Sequence, residues 1–168
     1  MVIDLNPNIS IIPSNRIISH CFTPDSHPDM GETNLRDCRD TLVAIAHTPD
    51  FTTPIRFSKN PRSGASLPRS WRSGECLIFV SCENNRDSYT FRFADVLQIA
   101  KNLVDACVGT TETERWGMLR WGGVAVLGDS RTFYVSVGKP RPRSASGGNV
   151  IPANIVNGTI LDPAIEVS

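Results

Sequence analysis

Cysteines at both ends of one apolar run, and another near the end of the amphipathic segment that follows, constrain this fold more than any other feature. The run is Cys76 to Cys82, CLIFVSC, introduced by Gly74-Glu75; a polar turn, NNRDSYT, then leads into FRFADVLQIAKNLVDACV. Alternation puts Cys76, Ile78, Val80 and Cys82 on one side and Leu77 and Phe79 on the other. Both sides need cover, so the run is expected to be an interior strand. Val96, Leu97, Ala100, Leu103, Val104 and Cys107 recur at helical spacing and predict a buried helix face. That helix should start at about Phe93, with Thr90 or Ser88 as its cap.

Strand length limits what the cysteines can do. Cys76 and Cys82 stand roughly 20 Å apart at about 3.3 Å per residue, far beyond a disulfide's reach. A helix returning antiparallel along the strand brings Cys107 beside Cys76, which makes that the expected bridge. Cys21 with Cys38, across a loop, is the expected second pair, and Cys82 is left over as a buried thiol or an intermolecular link. Five cysteines in 168 residues favour an oxidising compartment, the alternative being a cytosolic chain with buried free thiols, and they are too spread for metal spacing of the CxxC kind. Asp4 stands where a secretion signal carries positive charge, and Pro7 interrupts any apolar run, so the opening residues show no signal peptide and the expectation is a mature or truncated secreted chain. Asn8-Ile9-Ser10 and Asn157-Gly158-Thr159 are glycosylation acceptors compatible with that compartment. No run of about 18 apolar residues exists, so no transmembrane segment is expected.

Around this unit the chain divides into an extended N-terminal arm at 1–15, a single domain at 16–138 and a Pro- and Gly-rich tail at 139–168. Arg16 to Phe22 predicts a short strand with Cys21 at its end. A first helix should begin at Asn34, with Asp37 in its first turn favouring the positive end of the helix dipole, and stop near His47 because Pro49 disfavours helical geometry before it. Leu35, Cys38, Leu42 and Ile45 form its apolar stripe. GGVAVLG and TFYVSVG predict a hairpin turning at Gly128 that closes the sheet, with Gly122 and Gly123 serving close backbone packing. Together these elements predict an α+β domain, two helices packed on one face of a roughly four-stranded antiparallel sheet, stapled by disulfides.

The 17 basic and 17 acidic residues cancel, which leaves no excess charge of the kind a dedicated nucleic-acid binder carries. Only Lys59, Lys101 and Lys139 are lysines; the other basic residues are arginines. One stretch concentrates them without any acid. FTTPIRFSKNPRSGASLPRSWRS, from Phe51 to Ser73, holds Arg56, Lys59, Arg62, Arg69 and Arg72, with Phe57 and Trp71 interleaved. A long irregular loop of this composition is a candidate binding surface for phosphate, an acidic polysaccharide or an acidic protein. The alternative is that Leu67 and Trp71 anchor the loop to the core and the arginines form a solvated face.

Catalytic and metal motifs of the HExxH, GxSxG and Walker kinds do not occur. His20, His27 and His47 are expected as solvent-contacting loop and helix-end residues, and no metal or cofactor is implied. Asp37, Asp40, Glu75, Asp95 and Asp105 fit helix termini and exposed helix faces. These observations leave a non-enzymatic interaction protein as the first expectation. A small hydrolase with an acid and base assembled by the fold, or a membrane-active toxin, are the alternatives.

The order of Cys21, Asp37-Cys38 opening a helix, Leu67-Pro68 before Gly74-Glu75-Cys76, Ala106-Cys107-Val108 ending a helix, Gly122-Gly123 and the strand Phe133 to Val137 resembles a group of small secreted fungal proteins. More loosely, it is similar to necrosis-inducing effector and killer-toxin-like domains. The resemblance spans about residues 20 to 138. It implies a disulfide-stapled, secreted α+β sandwich that engages a host or competitor molecule.

Overall fold

The structure, a computed structural model, describes residues 17–60, 64–109, 121–128, 131–140, 155–156 and 159–160. The expected N-terminal arm, both glycosylation acceptors and most of the tail lie outside the described residues.

The main sheet is antiparallel throughout and has six strands. β1 (Ile17–Cys21), β2 (Met30–Gly31), β5 (Arg69–Ser73), β6 (Cys76–Cys82), β8 (Gly123–Leu127) and β9 (Phe133–Pro140) build it, in the order β1-β8-β9-β6-β5, with β2 pairing the end of β9. A second sheet joins β4 (Ala65–Ser66), β3 (Ile55–Ser58) and β7 (Ser88–Phe91), and there β3 runs parallel to β4 and antiparallel to β7. Helix α1 spans Leu35–Ala46 and α2 spans Phe93–Leu103, which continues as a π-helical turn, Val104–Val108. Two further short strands, β10 (Ile155–Val156) and β11 (Thr159–Ile160), pair with each other in the tail region.

The central strand stands where its alternation puts it. Cys76, Ile78, Val80 and Cys82 join Ala125, Leu127, Phe133, Val135 and Val137 in a core under both helices. Phe79 faces the other way, with Val124, Val126, Tyr134, Phe22 and Met30, and Leu77 and Trp121 pack against that cluster. Both helices therefore lie on one face, as expected. Their boundaries follow local chemistry: the Asn34 side chain accepts the Asp37 N–H at 2.9 Å and His47 closes the helix.

Four expectations need correction. The main sheet is larger than four strands, because β2 and β5 join it; the Pro-punctuated stretch 51–73 does not stay irregular but supplies β5 to this sheet and β3 and β4 to the second one. Ser88 and Thr90 belong to β7 and cap nothing; Arg92 is the cap of α2, and the Asp95 carboxylate accepts its backbone N–H at 2.9 Å. The hairpin of β8 and β9 does not close the sheet but fills its middle, between β1 and β6. Finally, the four paired cysteines are the expected four, yet the partners differ: Cys21 bonds Cys107 and Cys38 bonds Cys76, with Cys82 free.

Strand order explains the exchange of partners. β9 and β8 stand between β6 and β1, three strand spacings of about 4.8 Å each, so Cys76 and Cys21 are about 14 Å apart across the sheet. Helix α1 lies over β5 and β6 and delivers Cys38 to Cys76, whereas α2 lies over β8 and β9 and ends beside β1. Gly122 and Gly123 make the expected close approaches: a Cβ at Gly122 would stand 2.0 Å from the Val137 carbonyl oxygen, and one at Gly123 2.6 Å from that of His20.

Candidate functional site

The basic segment is divided between the two sheets. Arg56 lies in β3 opposite Thr90 and is exposed. Phe57, next to it, is 0% exposed and stacks on Phe91 at 4.0 Å, with Phe93 edge-on at 5.3 Å. It is a core residue and takes no part in a surface, which corrects its expected role. The Lys59 ammonium donates to the Glu83 carbonyl at 3.2 Å, and Arg62 lies outside the described residues.

β5 carries the rest. It is an end strand of the main sheet, and alternation sends Arg69 and Trp71 toward the helix side and Ser70 and Arg72 toward the other. Trp71 is half-buried: its indole N–H donates to Thr48 Oγ1 at 3.1 Å and its ring meets Phe93 edge-on at 5.8 Å. Leu67 is 4% exposed. These two residues anchor the segment, as the more conservative reading of the sequence had it. Arg69 is exposed, with its guanidinium 5.5 Å from the Phe93 ring centre, a cation–π contact. Arg72 is exposed and its Nε donates to the Gly74 carbonyl at 3.2 Å. What remains of the expected surface is one strand presenting Arg69, Ser70 and Arg72, with Arg56 on the neighbouring sheet.

Several other ionisable groups are engaged within the fold. Asp37 accepts the Glu75 backbone N–H and the Asn34 amide, both at 2.8 Å, and the first of these does most to hold its carboxyl below the usual range. Asp95 forms a buried two-point ion pair with Arg92, Asp105 pairs with Lys101 and Glu75 with Lys139. Buried ion pairing of this kind was not foreseen for Asp95; the signal was an acid three residues after the helix's first flanking position. His47 is exposed, as expected. His27 is not: it is 7% exposed, its ring centre 4.3 Å from that of Phe22 and its Nδ1 2.8 Å from Ser26 Oγ. Burial lowers its pKa, with Asp29 opposing and His20 reinforcing.

Cys82 is 0% exposed, and its thiol donates to the Asn84 carbonyl at 3.2 Å. Burial pushes that thiol up. Among the described residues, no group of three or more His, Cys, Asp or Glu side chains is placed to hold a metal, and no helix is long and apolar enough to cross a membrane. The chain matches no protein-family model, no curated protein and no solved structure.

Proposed function

We propose that this chain is a secreted, effector-like interaction protein that binds a host or competitor molecule through acidic groups on the partner. The exposed basic strand β5 carries this reading: at this end strand of the main sheet Arg69 is exposed on one side and Ser70 and Arg72 on the other, and arginine's planar fork suits carboxylate and phosphate-like anionic groups. The two bridges, Cys21–Cys107 and Cys38–Cys76, support an oxidising compartment. Binding by such a surface is steered by charge and weakens as salt rises.

The test is retention of the protein on immobilised heparin, an acidic polysaccharide, with salt elution. Wild-type protein should be retained at low salt, and Arg69→Gln/Arg72→Gln should elute earlier. Equal elution of the two proteins would remove β5 as the contact surface. Flotation with vesicles of anionic lipid, run in parallel, distinguishes a polysaccharide partner from a membrane surface.

A further inference from the structure

We propose that the Cys21–Cys107 disulfide is a thiol-exchange site, opened by a small external dithiol while Cys38–Cys76 stays closed. The two bridges are inequivalent in access. Cys38 and Cys76 are each 0% exposed, inside the core under the helices. Thr33 Oγ1 lies 3.5 Å from Cys38 Sγ, and Thr41, itself 0% exposed, donates to the Cys76 carbonyl at 3.3 Å. Cys21, by contrast, is an exposed residue at the end of β1, an end strand of the main sheet. Its partner Cys107 is 7% exposed and sits in the π-helical turn. Exchange requires a thiolate to reach a disulfide sulfur, so access decides which bridge reacts.

Gly123 makes room for this bridge. A Cβ on Gly123 would come within 2.9 Å of Cys107 Sγ, so only glycine on β8 leaves room for the sulfur beneath the turn. The protein's own free thiol cannot intervene. Cys82 pairs with Phe133 and Cys21 with Gly123, which in turn pairs with Val137, so the thiol lies at the opposite end of the sheet. The attacking group therefore comes from outside.

The exchange balances in two steps. A thiolate of the dithiol attacks Cys21 Sγ, forming a new S–S bond as the Cys21–Cys107 bond breaks, and Cys107 leaves as a thiolate that takes up a proton. The second thiol of the dithiol, as its thiolate, then displaces Cys21. The dithiol is left as a cyclic disulfide, and two electrons have passed to the protein. Opening the bridge releases the end of β1 from the π-helical turn, while Cys38–Cys76 still holds α1 to β6.

The experiment treats the native protein with graded dithiothreitol, alkylates and maps the labelled cysteines. Hydrogen exchange is followed on the same samples. Cys21 and Cys107 should become labelled while Cys38 and Cys76 remain unlabelled. Protection should be lost at Ile17–Cys21 and Val104–Val108 and kept at Cys76–Cys82. Labelling of Cys38 and Cys76 first, or of both pairs together, overturns the proposal. So does unchanged protection at Ile17–Cys21, or loss of protection throughout the chain once the first pair opens. Cys21→Ser/Cys107→Ser gives an independent check: it should reproduce the exchange pattern of the partly reduced protein without reductant, and a pattern like that of the oxidised protein counts against the bridge as a switch.

Discussion

The carboxylate of Asp37, in the first turn of α1, accepts the backbone N–H of Glu75 in the turn between β5 and β6 at 2.8 Å. One hydrogen bond thus ties the start of a helix to the turn that launches the central strand, next to the Cys38–Cys76 bridge. Thr33 Oγ1 adds a second tie by donating to the Glu75 carbonyl at 3.1 Å. Gly74 makes the approach possible, since its φ is +48° and a Cβ there would stand 2.3 Å from Asp37 Oδ2.

This junction sets an acid limb of stability. The Glu75 N–H first, then the Asn34 amide, hold the Asp37 pKa below 3.8. A depressed carboxyl contributes stability that is present above the unfolded value and lost as pH falls through the folded one. The urea midpoint of the wild-type protein should therefore decline below about pH 4, the usual carboxylate range. Asp37→Asn should be less stable at neutral pH and decline less with acid. Parallel acid profiles for the two proteins would show that this carboxylate carries no linkage.

Gly74→Ala tests the same junction from the other side. The left-handed backbone costs a side chain about 1–2 kcal/mol, and the new methyl must also displace the Asp37 carboxylate. The midpoint should fall accordingly, and an unchanged midpoint would mean the turn relaxes without strain.

How much of this was legible depends on how local each determinant is. Asn34, Asp37 and Pro49 announce α1 within its own neighbourhood, and the alternation from Cys76 to Cys82 announces β6. The pairing of Ser88–Phe91 with Ile55–Ser58 is different: two short strands far apart in sequence recognise one another through Phe57 on Phe91. Phe57 among basic residues looks like a surface aromatic until that partner is known. The bridges failed for the same reason. Helix direction along β6 was readable, but the sideways position of α2 depends on β9 entering between β6 and β8, a long-range event without a local signature. At the basic segment the residue types were visible, while their division between strands and sheets was not.

The Arg92–Asp95 pair should be costly to break and cheaper to replace. Arg92 is 8% and Asp95 1% exposed, with the Arg92 Nε and Nη2 donating to the two carboxylate oxygens at 3.1 and 2.8 Å. Removing one partner strands a buried charge, which costs about 3–5 kcal/mol. Asp95→Ala should lose that much by denaturant unfolding. Arg92→Met added to it should recover part of the loss, because the stranded guanidinium goes, but not all, because the N-terminal cap is still missing. Equal losses for the single and double variants would place the cost in the cap alone.

His27 predicts a second pH dependence, nearer neutrality. Burial against Phe22 lowers its pKa below 6.5, and His20 adds to the shift while Asp29 opposes it. The unfolded chain then takes up the proton first as pH falls, so stability should drop below about pH 6.5 and level off once the folded form is protonated too. His27→Gln should flatten this part of the profile and leave the acid limb from Asp37 in place. A His27 titration in the native protein at or above 6.5 would contradict the assignment.

Cys82 gives a count that checks the whole cysteine framework. It is the free cysteine, enclosed at the far end of β6 from both bridges, and burial raises its pKa. Thiolate is the reactive form, so a buried thiol with a raised pKa reacts slowly even at alkaline pH. A thiol reagent added to the native, unreduced protein should find no reactive group. In denaturant without reductant it should find one per chain, Cys82 itself. Cys82→Ala should lower that count to zero and destabilise the fold, since it leaves a cavity and removes the hydrogen bond to Asn84. A reading of three in denaturant would mean that one bridge is absent, because each unformed bridge adds two thiols to the one at Cys82. A reading of one in the native state would instead place the end of β6 within reach of solvent.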